Sequence, residues 1–171
     1  MESEFEHIDH VVVPGTFDPI TYGHLDVVRR ARRIAPRVTV AVAASLRKNG
    51  TGPVFSLEER VELAREAIGA EGIPDGVDVR PLTGLLVDFC REVGAGAVVK
   101  GLRAMTDFEY ELQQADLNYR LAPDIESIFV MSNPSYAYLS SSIVRELASL
   151  GGDVSTLVPP SVVEKLAAHF G

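Results

Sequence analysis

Cysteine is nearly absent from this chain: Cys90 stands alone, so no intrachain disulfide can form, and a reducing, cytoplasmic setting is the expectation. Long apolar runs are missing too. None approaches the roughly 20 residues that a membrane-spanning helix needs. The first nine residues are acidic and polar, which does not fit a secretory signal. They are expected to form a disordered tail (1–9), with one domain over 10–171. Positive charge is in short supply, with 16 Lys and Arg against 24 Asp and Glu and a net charge of −8. Such a balance argues against non-specific nucleic-acid binding, which needs a basic surface. An anionic small ligand stays possible, because a few local cations outweigh a distant field screened within about 10 Å. There is no Walker A pattern, no arguable Ser-His-Asp arrangement and no metal-ligand constellation. His7-x-x-His10 lacks carboxylate or thiolate companions and reads as incidental.

What is present is a soluble domain's composition, 46% hydrophobic and 23% charged, arranged as alternating β and α segments. Nearly continuous apolar runs at 11–13, 38–44, 77–80, 97–100 and 127–131 read as strands of a parallel sheet covered on both faces. Helical patterns fall at 25–34, 57–68, 85–93, 108–121, 140–150 and 161–170. Ser56 and Glu59 have capping-box spacing, as do Ser161 and Glu164. Phe108, Leu112, Ala115 and Tyr119 make an apolar stripe at helical spacing. Arg29, Arg30, Arg32 and Arg33 read as a solvated helix face, and Cys90 as a structural residue. The alternation predicts an α/β fold: one doubly wound, five-stranded parallel sheet with helices on both faces. Ligands of such sheets bind at the carboxyl ends of the strands.

The densest chemistry lies in Pro14-Gly15-Thr16-Phe17-Asp18-Pro19-Ile20-Thr21-Tyr22-Gly23-His24, between the first strand and the first helix. A strand, a glycine-bearing turn and a helix start present backbone N–H groups to phosphate. Thr16 adds a hydroxyl and His24 an imidazole. Attack by one phosphate on the α-phosphorus of a nucleoside triphosphate needs alignment and charge stabilisation rather than a base. His24 can donate to an α-phosphate oxygen, and Thr16 can orient the incoming phosphate. Simple helix capping by Thr21 and His24 is the local alternative.

Thr21-Tyr22-Gly23-His24 resembles the T/H-x-G-H signature of the nucleotidylyltransferases. Lys100-Gly101-Leu102-Arg103, then Asp107-Phe108-Glu109-Tyr110-Glu111, then Ser140-Ser141-Ser142 follow in the order and spacing of one member family. From about Val11 onward the chain resembles the phosphopantetheine adenylyltransferases.

The resemblance implies a Rossmann-like domain that joins 4′-phosphopantetheine to the AMP moiety of ATP, giving dephospho-coenzyme A and pyrophosphate. It implies catalytic roles for His24, Thr16, Lys48 and Arg103. It places ATP at Thr16, Phe17, His24, Gly101, Leu102, Arg103, Glu111 and the run Tyr136, Ala137, Tyr138, Leu139, Ser140, Ser141, Ser142. It places 4′-phosphopantetheine at Thr16, Lys48, Leu86 and Lys100. Leu86 is equally a core residue, and Lys100 stands where many members have arginine. Mg²⁺ carried by ATP, coenzyme A as a feedback inhibitor and a homohexamer are further implications. Another nucleotidylyltransferase, for glycerol 3-phosphate or nicotinate mononucleotide, and a non-catalytic nucleotide-binding protein are the rival readings.

Overall fold

The computed structural model describes residues 7–44, 52–104, 106 and 108–171. Among the described residues five strands alternate with α-helices and two further α-helices close the chain: β1 (His10–Gly15), α1 (Tyr22–Ile34), β2 (Arg37–Ala43), α2 (Leu57–Ala70), β3 (Val77–Leu82), α3 (Leu86–Val93), β4 (Ala97–Leu102), α4 (Phe108–Leu121), β5 (Glu126–Met131), α5 (Ser141–Ser149) and α6 (Pro160–Phe170). The strands form one parallel sheet in the order β3-β2-β1-β4-β5. Strand order reverses at β1, so the crevice beside its carboxyl end is where a ligand is expected.

Two-residue periodicity divides the strand side chains between two cores. Val11 and Val13 of β1, Val38, Val40 and Val42 of β2, and Ala97 and Val99 of β4 pack with Leu25, Val28, Leu63, Val144 and Leu166 from α1, α2, α5 and α6. Val12, Ala41 and Val98 face the opposite way, onto Val87, Phe89 and Cys90 of α3. The buried Cys90 thiol is pushed up to about 11 by desolvation, so it is a small core hydrophobe and not a nucleophile. No helix among the described residues is long and apolar enough to cross a membrane.

The capping box expected at Ser56–Glu59 is present, with both reciprocal bonds made. The one expected at Ser161–Glu164 is not. Pro159 is the N-cap and Pro160 opens α6, because a fixed φ suits the first helical position. Ser161 therefore lies inside the helix, and its buried Oγ has no partner among the described residues. The α4 stripe also departs from a core helix: Phe108, Leu112 and Tyr119 are more than half exposed in the single chain. Of the segment expected as a tail, 1–6 lie outside the described residues. Ile8 packs against the core, and the Asp9 carbonyl accepts from the Arg37 N–H at 3.1 Å. His10 is buried in β1, within hydrogen-bond reach of Thr39 Oγ1 (2.8 Å) and the Val93 carbonyl (3.0 Å). Three arginines of α1 are tied locally: Arg29 to Glu71, Arg30 to Asp26 and Arg32 to the Asp75 carbonyl.

Helix α1 sits hard against β4. A Cβ built on Gly101 would stand 2.5 Å from Val27 Cγ2. Gly101→Ala is therefore expected to lower the unfolding free energy by about 1–3 kcal/mol through overpacking. Adding Val27→Ala should recover part of the loss, read as the shift in urea midpoint at unchanged slope.

Candidate active site

A cavity of about 400 Å³ opens at the carboxyl edge of the sheet. That is a size suited to a small-molecule ligand. Val13, Gly15, Phe17, Thr21 and His24 reach it from β1 and the start of α1. Lys100, Gly101 and Arg103 come from β4, Glu111 from α4, and Ser132, Tyr136 and Leu139 from the chain after β5. Segments far apart in sequence thus meet at the topological switch point.

The turn between β1 and α1 is held from several sides. Phe17 has φ 49°, a left-handed conformation costly for a side-chain-bearing residue. Its ring packs under Gly15, where an added Cβ would meet Phe17 Cζ at 2.9 Å. The Thr16 carbonyl accepts from Arg60 Nη1 at 2.7 Å, the Asp18 carbonyl from Arg145 Nη1 at 2.6 Å, and the Pro19 carbonyl from Ser141 Oγ at 2.7 Å. The buried Asp18 carboxylate accepts the backbone N–H groups of Val54 (2.8 Å) and Phe55 (3.0 Å).

Thr21 then caps α1. Its N–H donates to His24 Nδ1 at 3.0 Å, while the His24 N–H donates to Thr21 Oγ1 at 3.3 Å. An imidazole nitrogen that accepts from an amide carries no proton, so the ring proton of neutral His24 sits on Nε2. Desolvation, reinforced by the nearby Arg103 guanidinium, lowers the His24 pKa from 6.5 to about 4. The Phe17 ring meets it edge-on at 4.9 Å between centroids. The capping that the sequence allows as the alternative reading is thus present, and it fixes the imidazole in place.

Lys100 and Glu111 meet across β4 and α4: Nζ donates to Oε2 at 2.8 Å, with both side chains mostly buried. Arg103 donates through Nη1 to the Leu139 carbonyl, and its N–H donates to Thr106 Oγ1 at 3.0 Å. Burial lowers the Arg103 pKa from its ordinary value.

Of the expected nucleotide residues, Phe17, His24, Gly101, Arg103, Glu111, Tyr136 and Leu139 line the cavity, as does Lys100. Leu102, Ala137 and Tyr138 do not, and Tyr138 is 75% exposed. Thr16 stands exposed, next to the lining residues Gly15 and Phe17. The serine hydroxyls are engaged nearby: Ser140 caps the Ile143 N–H, Ser141 donates to Pro19, and Ser142 accepts from Arg145. Leu86 begins α3 and packs against the second core, away from the cavity lining. Lys48 lies outside the described residues. Residues not anticipated include Val27, Thr106, Tyr110 and Ser132. Ser132 could have been found from its place directly after β5.

Comparison with known proteins points the same way. Residues 12–147 match the cytidylyltransferase-like family. The chain is 53% identical over 160 residues to a phosphopantetheine adenylyltransferase of Moorella thermoacetica, covering 94% of this chain and 96% of the relative. Among solved structures it resembles a bifunctional NMN adenylyltransferase/ADP ribose pyrophosphatase of Francisella tularensis complexed with AMP and a manganese ion. That match has a TM-score of 0.70 and 18% identity over 94% of this chain. The chain spans about half of that larger enzyme, 48% of its length. It also resembles a putative nicotinate-nucleotide adenylyltransferase of Vibrio parahaemolyticus, with TM-score 0.66 and 14% identity over 93% of this chain and 91% of that one. These structural likenesses concern the fold.

The depressed pKa of His24 has a stability consequence. The unfolded chain takes up a proton near 6.5 and the folded chain only near 4, so this stabilisation is complete above 6.5 and is lost as the pH falls through 4. Melting temperature should therefore decline over that window on acidification. Measured by pH-dependent thermal unfolding, His24→Asn should show a shallower decline.

Proposed function

The chain belongs to the phosphopantetheine adenylyltransferase family and is a nucleotidyltransferase; from that premise we propose that its cavity binds ATP and 4′-phosphopantetheine together and transfers AMP between them. An oxygen of the acceptor phosphate attacks the α-phosphorus of ATP. The new O–P bond forms as the bond to the β-phosphate bridge breaks, giving dephospho-coenzyme A and pyrophosphate. A phosphate monoester is mostly ionised at neutral pH, with a second pKa of about 6, so no general base is needed. Attack is direct and in line, without a covalent enzyme intermediate.

The observation that carries this reading is the state of His24. Its Nδ1 is occupied by the Thr21 N–H, and its proton is on Nε2 beside Arg103. A neutral imidazole fixed this way is a hydrogen-bond donor for charge growing on the α-phosphate oxygens. In this reading Arg103 exchanges the Leu139 carbonyl for the β- or γ-phosphate. Tyr136 and Leu139 lie beside the base, and the N-terminus of α5 at Ser140–Ser142 faces the phosphates. Thr16 and Lys48 orient the acceptor phosphate, Lys100 binds it, and Leu86 contacts the pantetheine arm. Lys100 brings one point charge where arginine would bring a planar fork. Its bond to Glu111 keeps that charge oriented before the phosphate arrives.

Mg²⁺ enters with ATP in this reading. The carboxylate lining the cavity, Glu111, is engaged by Lys100. Among the described residues no group of three or more His, Cys, Asp or Glu side chains gathers to hold an ion. In this reading donors on the nucleotide's own phosphates would hold the metal, which would neutralise charge on the departing pyrophosphate. Coenzyme A, built from the same adenylate and pantetheine parts as the product, competes for this cavity as a feedback inhibitor. The enzyme works in the cytoplasm as a homohexamer, a state for which the exposed apolar residues of α4 offer a contact surface.

Pyrophosphate release from ATP and Mg²⁺ tests the reaction. It is expected with 4′-phosphopantetheine, with dephospho-coenzyme A identified by mass, and not with glycerol 3-phosphate or nicotinate mononucleotide. Release with one of those controls alone would overturn the acceptor. His24→Ala should lose about 10²–10³ in kcat while still binding ATP. In the same assay, Lys100→Ala should raise KM for 4′-phosphopantetheine at least about tenfold and change KM for ATP far less, as expected for a lost charge-assisted contact.

A further inference from the structure

Arg60 lies in the first turns of α2, where Glu58-Glu59-Arg60 would pass for a solvated face, yet only 2% of its surface is exposed. Its guanidinium points toward the carboxyl edge of the sheet. Nη1 donates to the Thr16 carbonyl at 2.7 Å and to the Ala43 carbonyl at 2.8 Å, and Nε donates to the Phe55 carbonyl at 3.1 Å. One planar cation thus joins the turn after β1, the end of β2 and the approach to α2. The Asp18 carboxylate holds the other side of Phe55 through its N–H. Thr16, Asp18, Phe55 and Arg60 therefore close a hydrogen-bonded circuit around the turn.

The Thr16 and Ala43 carbonyls lie where parallel strands end and ladder partners run out, and the Phe55 carbonyl lies just before the N-cap of α2, so a buried donor is needed to satisfy them. A lysine offers a compact point charge in place of the rigid fork and cannot serve three diverging carbonyls in the same geometry. Arg60 is not among the residues that line the cavity. Its influence on chemistry runs through Thr16, whose backbone it grips.

We propose that Arg60 is a positioning residue for adenylyl transfer: it fixes the Thr16 carbonyl and thereby sets where the Thr16 hydroxyl meets the acceptor phosphate. This rests on the reading of Thr16 as the hydroxyl that orients that phosphate. In-line attack tolerates little displacement, since a shift of about 1 Å can cost about a hundredfold in rate.

The test is a double-mutant cycle on the full chain with Thr16→Ala, Arg60→Lys and both together. Steady-state kinetics and melting temperature are measured for each. Arg60→Lys is expected to lower kcat about tenfold or more, with KM for ATP within about twofold of the parent. In the Thr16→Ala background the same change should cost less than about twofold, because the hydroxyl it positions is gone. Equal fractional losses in both backgrounds, or full activity of a folded Arg60→Lys, would overturn the proposal. Unchanged turnover in Thr16→Ala would instead remove the role of Thr16 and the proposal with it. Arg60→Gln, which keeps a planar amide donor, serves if the lysine variant does not fold. Failure of both to fold would make Arg60 a folding residue and also overturn the proposal.

Discussion

The turn from Thr16 to Pro19 is the constraint on which the site depends. It leaves a central strand, passes through a left-handed residue at Phe17 and enters a helix within a few positions. Such a path exposes carbonyls that no sheet or helix ladder can satisfy. Side chains from two distant helices supply the missing donors: Arg60 from α2, and Ser141 and Arg145 from α5. Both helices pack on the same face of the sheet as α1. The packing that buries the core therefore also aims these donors, and the strain at Phe17 is held by the assembled fold.

Several of the cavity's polar groups are engaged within the protein. Lys100 holds Glu111, Arg103 holds the Leu139 carbonyl, and His24 is fixed by the helix cap it shares with Thr21. In the proposed reaction a ligand's phosphates would enter by exchanging with the internal partners of Lys100 and Arg103. Groups waiting in defined positions do not have to be ordered when charge develops, which is the condition under which electrostatic stabilisation acts on a rate. His24, neutral at physiological pH, has the same character: it contributes a directed proton, not a charge.

Much of this organisation was legible in the sequence. The alternating apolar runs predicted the parallel sheet because the central strands β1, β2 and β4 bury both faces. The motifs after β1 and β4, with the chain after β5, converge as expected, because a doubly wound sheet sends its strand ends to one edge. What escaped was long-range. Glu58-Glu59-Arg60 carries no sign that Arg60 turns inward, since its acceptors lie on Thr16, Ala43 and Phe55. The Lys100–Glu111 pair spans a strand and a helix, so neither residue's surroundings announce the other. At α6, prolines set the helix start one position ahead of the serine whose spacing suggested a cap. On α4, periodicity marked an apolar face correctly but could not say whether this chain's own core would cover it.

The seating of α1 on β4 through Val27 and Gly101 makes the backbone itself a ruler. His24 and Val27, one turn apart on α1, share a face, and Lys100 immediately precedes Gly101. The relative position of α1 and β4 is thereby gauged by two rigid elements in close contact. Side-chain changes elsewhere on the surface can proceed without altering that spacing.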